Sequence, residues 1–127
     1  MPKDPKIQSA EIALWKVRLL RSISDGEKIS HSVRGERRLH QRILEIALED
    51  YCRHKEKDLN KVASEVRSQF YSARNWIFGG REPETYIEKV MDFKNVCLIL
   101  DVPPAGIRKL AKELTLREMK HWIRHRR

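Results

Sequence analysis

Apolar residues recur along this chain at intervals of three and four, the spacing that puts them on one side of a helix. After an arm over residues 1–8 with two prolines, Ser9 is placed to cap an accessory helix over residues 9–24. Ile12, Trp15, Leu19 and Ile23 form its stripe, Arg18 and Arg21 lie off it, and Asp25-Gly26 ends it. The stripe needs a cover, either the rest of the chain or a second copy. Residues 24–35 are polar with two glycines and predict a loop. The longest helix is predicted over residues 36–54. Leu39, Ile43, Ile46, Ala47 and Cys52 or Tyr51 are on its inner face, and Arg37, Arg38, Arg42 and Glu45 or Glu49 on its wet side. A charged turn follows at residues 54–58. Val62, Ala63 and Val66 then make a short apolar face, Arg67-Ser68-Gln69 a polar break, and Ala73, Trp76 and Ile77 a second face that Gly79-Gly80 stops. Two short helices, over 59–66 and 69–78, are expected there, with Ser68 placed to cap the second.

Beyond Pro83 the densest apolar stretch holds Tyr86, Ile87, Val90, Met91, Val96, Cys97, Leu98 and Leu100. A helix over residues 84–100, jointed near 92–95, fits the spacing; a strand over 96–100 is the competing reading, since a short apolar run has no clear period. Asp101-Val102-Pro103-Pro104 breaks the chain, and Pro104 opens a helix carrying Ile107, Leu110, Ala111 and Leu114. Thr115 and Glu118 have the spacing of a capping box ahead of a last, basic helix over 115–127 with Leu116, Met119, Trp122 and Ile123. The expected fold is an all-α bundle, a single domain over 1–127 by length.

Charge adds a partner class. The chain of 127 residues has a formal net charge of +9, which points to an anionic partner, nucleic acid ahead of a membrane surface. Residues 59–81 hold four basic and one acidic side chain, 82–104 two and five, and 105–127 eight and two. An acidic stretch thus separates two basic ones. No apolar run is long enough to span a bilayer, and the first residues do not read as a signal peptide. Cys52 and Cys97 lack metal spacing and read as small core residues of a reduced compartment. His121 and His125 are four apart with no further ligand at a metal-binding spacing, so they read as solvated. No glycine-rich phosphate loop or nucleophile–base pairing is present, so neither catalysis, a cofactor nor a small-molecule ligand is expected.

The stretch KVASEVRSQFYSARNWIFGGREP, residues 61–83, resembles the helix-turn-helix of the phage-repressor (lambda-repressor-like) family. Ala63 stands at the family's small crossing residue, Ala73 at the buried small position of the recognition helix, and Trp76 at its apolar anchor. Gly79 stands at its closing glycine, and Arg81 to Pro83 match its exit. One position departs, because the family's turn glycine falls at Arg67. The resemblance extends over about residues 36–112 and implies a compact helical core with 59–66 as scaffold helix and 69–78 as recognition helix. It also implies sequence-specific binding of double-stranded DNA by a transcriptional regulator of phage or mobile-element type, commonly as a homodimer.

Under that resemblance Arg74, Asn75, Tyr71 and Phe70 meet base edges, with a phosphate the alternative partner of Arg74 and Asn75, and the core or a protein partner the alternative for Phe70. Arg74 suits guanine O6 and N7, and Asn75 suits adenine N6 and N7. Gln69, Ser72, Lys61, Arg67 and Arg81 are expected at phosphates, with Arg124, Arg126 and Arg127 as a basic tail. The protein is then cytoplasmic and nucleoid-associated, with a contact to the transcription machinery in view. Two rivals stay open: a protein-interaction adaptor of a transcription or replication complex, and a helical RNA- or single-strand-binding protein.

Overall fold

The computed structural model describes residues 13–24, 31–79, 89 and 91–125. Six helices are present among them: α1 Leu14–Ser24, α2 His31–His54, α3 Ser64–Phe78, α4 Phe93–Leu100, α5 Pro104–Glu113 and α6 Leu116–His125. The described residues contain no strand, so the fold is all-α and residues 96–100 are helical. Among them no helix is long and apolar enough to cross a membrane. Ser9, Ile12 and the arm before them lie outside the described residues, as do Arg81, the expected helical turns at 84–88, and Arg126 and Arg127.

The long helix α2 is the axis, touching each of the other five. One buried cluster joins Leu20 and Ile23 of α1, Leu44, Leu48 and Cys52 of α2, and Ile77 of α3 with the inner residues of α4, α5 and α6. The inner face of α2 differs from the expected one. Leu39 and Ile46 are 51% and 42% exposed, whereas Arg37 and Glu45 are buried. For Arg37 the reason is the need to satisfy helix ends. The Arg37 guanidinium donates to the carbonyls of Ser22 at 2.9 Å, Ile23 at 3.2 Å and Leu100 at 3.4 Å, closing the C-termini of α1 and α4 together. The expected loop is also shorter, since α2 begins at His31.

A second expectation is overturned at residues 59–69. The helix α3 runs unbroken from Ser64 to Phe78, through the supposed turn. Arg67 N–H donates to Ala63 O at 3.1 Å as an ordinary helical bond. Before it, Lys61 N–H reaches Asp58 O at 3.0 Å and Asn60 N–H reaches the Asp58 side chain at 3.0 Å, so residues 58–61 form an Asx-type turn and not a helix. Ala63 is exposed at the N-cap position, and Ser68 is an exposed mid-helix residue. The polar trio is simply the outer side of a helix whose inner side is Phe70, Ala73 and Ile77. Gly79, with φ 83°, ends it in a conformation open to glycine.

Between α4 and α5 the chain turns at the break expected over Asp101 to Pro104. Asp101 has φ 57°, the one positive-φ non-glycine residue described. Its N–H donates to Leu98 O at 3.1 Å, and Val102 N–H donates to Cys97 O at 3.0 Å, the pair of bonds that defines a Schellman ending. Val102 is buried beneath it, 5% exposed. Pro103 is extended and Pro104 takes the first helical position of α5, where its missing N–H costs nothing. Gly106 leaves room for the Pro103 ring, because a Cβ there would stand 2.9 Å from Pro103 Cγ, whereas its distance of 3.6 Å from the Leu19 methyl groups of α1 would be an ordinary contact.

The far end of α5 is closed by ammonium groups from other helices. Lys55 Nζ donates to the carbonyls of Ala111 at 2.8 Å, Lys112 at 2.9 Å and Leu114 at 2.6 Å, and Lys16 Nζ donates to Glu113 O at 2.8 Å. The capping box expected at the start of α6 is present, with Thr115 N–H on Glu118 Oε1 at 2.9 Å and Glu118 N–H on Thr115 Oγ1 at 3.1 Å. Glu118 also pairs with Lys16 at 2.8 Å. Both cysteines are buried and free, and burial pushes the thiol of Cys52 up to about 11 and that of Cys97 up to about 12.

Candidate nucleic-acid interface

The outer face of α3 is polar and uncrowded. Ser68, Gln69, Tyr71, Ser72, Arg74 and Asn75 are exposed on it, with Arg67 half-buried and Lys61 exposed in the turn before it. Phe70 is different. It is 6% exposed and stacks on Tyr51 of α2 with ring centroids 5.4 Å apart, so it belongs to the interior and presents no face to a partner. The alternation of exposed and buried positions along an unbroken helix explains this, since Phe70 precedes Ala73 and Ile77 by one and two turns. Trp76, expected as a buried anchor, is half-buried; its indole N–H donates to Met91 O at 2.8 Å and its ring meets Phe93 edge-on at 5.3 Å.

A row of aromatic rings runs along the seam between α2 and α3. Tyr51 sits beside both Phe70 and Phe78, the latter at 5.2 Å, and Tyr71 lies edge-on to Phe70 at 5.4 Å. Two cations rest on the ends of this row. The Arg74 guanidinium lies 5.1 Å from the Tyr71 ring centre, and the Lys112 ammonium, from the last turn of α5, lies 5.4 Å from that of Phe78. Between them is an open groove of about 280 Å³ lined by Tyr51, Arg74, Asn75, Phe78, Gly79 and Lys112. The groove brings Arg74 and Asn75 together with a lysine that the sequence reading did not single out.

Arg108, one turn before Lys112, is occupied internally. Its Nε donates to Ile77 O at 2.8 Å and its guanidinium covers the Phe93 ring at 5.0 Å. This bond removes part of the negative end of α3 from the groove's edge. On the solvent side α5 keeps a stripe of Ala105, Lys109 and Lys112, with Glu113 at its end and Asp101 and Pro103 exposed in the turn that starts it. The Lys109 ammonium stands 4.6 Å above the Trp15 ring of α1. Arg124 lies in the last turn of α6, its side chain outside those described. Among the described residues no three histidine, cysteine or acidic side chains gather as a metal site would need. The exposed stripe of α5 was legible as the complement of Ile107, Leu110 and Ala111.

Compared with protein-family models, curated proteins and solved structures, the chain matches none.

Proposed function

We propose that the protein binds duplex DNA with α5 laid in the major groove, and regulates transcription from the site it recognises. The observation that carries this reading is the connection between α4 and α5: two helices joined by the three residues 101–103, with a left-handed residue and a buried valine fixing the entry of the second helix. The second helix offers its polar stripe outward, and the chain's net charge of +9 favours a polyanion. In this reading the groove element is α5 and not residues 69–78, which continue the helix begun at Ser64 with no turn between. Ala105 is suited to a thymine methyl and Lys109 to the O6 and N7 of guanine, while Gln69, Ser72 and Lys61 flank the duplex.

A two-fold dimer on half-sites about one helical turn apart, ~34 Å, goes with this reading. Ile23 of the α1 stripe and Met119 and Trp122 of α6 are in the core of the chain itself. The adaptor reading draws on exposed Leu39, Ile46 and Leu98. Selection of bound duplexes from a random pool at moderate salt decides between them. A consensus is expected, and Lys109→Ala is expected to flatten it at one position, losing about 1–3 kcal/mol of discrimination there. A pool that stays random, or equal retention of single strands, removes the reading.

A further inference from the structure

The groove between α3 and α5 has a feature that a solvated charged surface lacks. Its two cations, Arg74 and Lys112, come from different helices, and no described carboxylate pairs with either. Both are held over aromatic faces. That contact engages the flat of the guanidinium and one side of the ammonium, and leaves their N–H groups for an acceptor. Asn75 adds a neutral amide donor on the same wall, the floor of Tyr51 and Phe78 carries no carboxylate, and Arg108 occupies the Ile77 carbonyl at the end of α3. The groove is open, so it suits an anion at the edge of a larger body better than an enclosed metabolite.

We propose that this groove is a phosphate site, with one phosphate gripped by Arg74 from α3 and Lys112 from α5 and steadied by the Asn75 amide. Arg74 and Asn75 are then not readers of base edges; they hold the backbone beside the helix that reads. That the phosphate comes from a duplex backbone rests on the duplex reading above, whereas the site itself does not. A shared phosphate makes a demand that two independent surface charges do not: removing both cations must cost one phosphate, not two.

Two measurements test this on the full chain. In the first, duplex affinity is followed over a salt series for wild type, Arg74→Gln, Lys112→Gln, the double variant, and Lys109→Gln outside the groove. The double variant is expected to lower the slope of log affinity against log salt by about 0.9, with the second substitution adding little to the first. Specific and scrambled duplexes are expected to lose affinity by the same factor. In the second, the Asn75 side-chain amide and Arg74 Nε–H resonances are followed as inorganic phosphate, and separately a dinucleotide with one internal phosphodiester, is added. Saturable shifts that vanish in the double variant are expected. If wild type ignores duplex DNA but saturates with phosphate, the site stands and the duplex reading falls. If duplex binding and its slope survive the double substitution while Lys109→Gln still weakens it, and no resonance shifts with phosphate, the site is overturned and the duplex reading stands. A wild type that shows neither duplex binding nor phosphate shifts overturns both.

Discussion

Asp101 pays a conformational cost at φ 57°, where a side chain crowds its own backbone, and the fold accepts it because two hydrogen bonds and the burial of Val102 depend on that geometry. Asp101→Gly is therefore expected to keep or raise stability, by up to about 1 kcal/mol. Asp101→Val, with a branched side chain in the same place, is expected to lose about 1–2 kcal/mol. Urea unfolding of the two variants beside wild type measures both. Glu118 supports a second expectation. Burial works to raise its carboxyl, but the hydrogen bonds from Lys16 and from Thr115 outweigh it and hold the group below 4.5. A carboxyl lowered in the folded state stabilises the fold above its unfolded value and ceases to do so as pH falls through the folded one. Glu118→Gln keeps a capping-box side chain and loses the charge. It is expected to be less stable than wild type at pH 7, with the gap closing as pH drops below 4.5, by the same unfolding measurement at each pH.

At the scale of elements, α5 is the helix most dependent on others for its ends. Lys55 alone serves two of its carbonyl oxygens and that of Leu114 at its C-cap, from a position just past the end of α2. Lys55→Ala is expected to cost about 2 kcal/mol, and Lys55→Arg to recover little, because a planar fork cannot converge on three oxygens as an ammonium does. Thermal unfolding of the pair checks it. None of this was readable beforehand, since Lys55 and Ala111 are distant in the chain and nothing local announces their meeting. What is local was readable: Pro104 opening α5, Thr115 and Glu118 capping α6, and the apolar faces of α5 and α6. The failures share a cause. A polar triplet such as Arg67-Ser68-Gln69 looks alike whether it turns the chain or faces water from a continuous helix. On α2 an arginine was assigned to solvent by its type, although its five donors suit it to buried helix ends. At the candidate site Arg74 and Asn75 are exposed as expected, Phe70 is not, and Lys112 needed the packing of α5 beside α3 to come into view.

For the whole molecule, part of the net charge of +9 is engaged internally, since Lys16, Arg37, Lys55 and Arg108 all donate to main-chain carbonyls of other helices. The cations left facing outward near α5 are fewer and more definite in place. The burial of Cys52 and Cys97 has a different consequence, one that concerns time. They stand on α2 and α4, 2% and 0% exposed, with thiols that stay protonated at neutral pH, so no reagent reaches them until the packing opens. Each is then a clock for the opening of its own helix. Because both belong to one buried cluster, their labelling rates are expected to agree with each other and to rise together with urea, read by mass spectrometry of the two peptides. A faster Cys97 would instead mean that α4, and with it the turn that aims α5, comes loose while α2 stays folded.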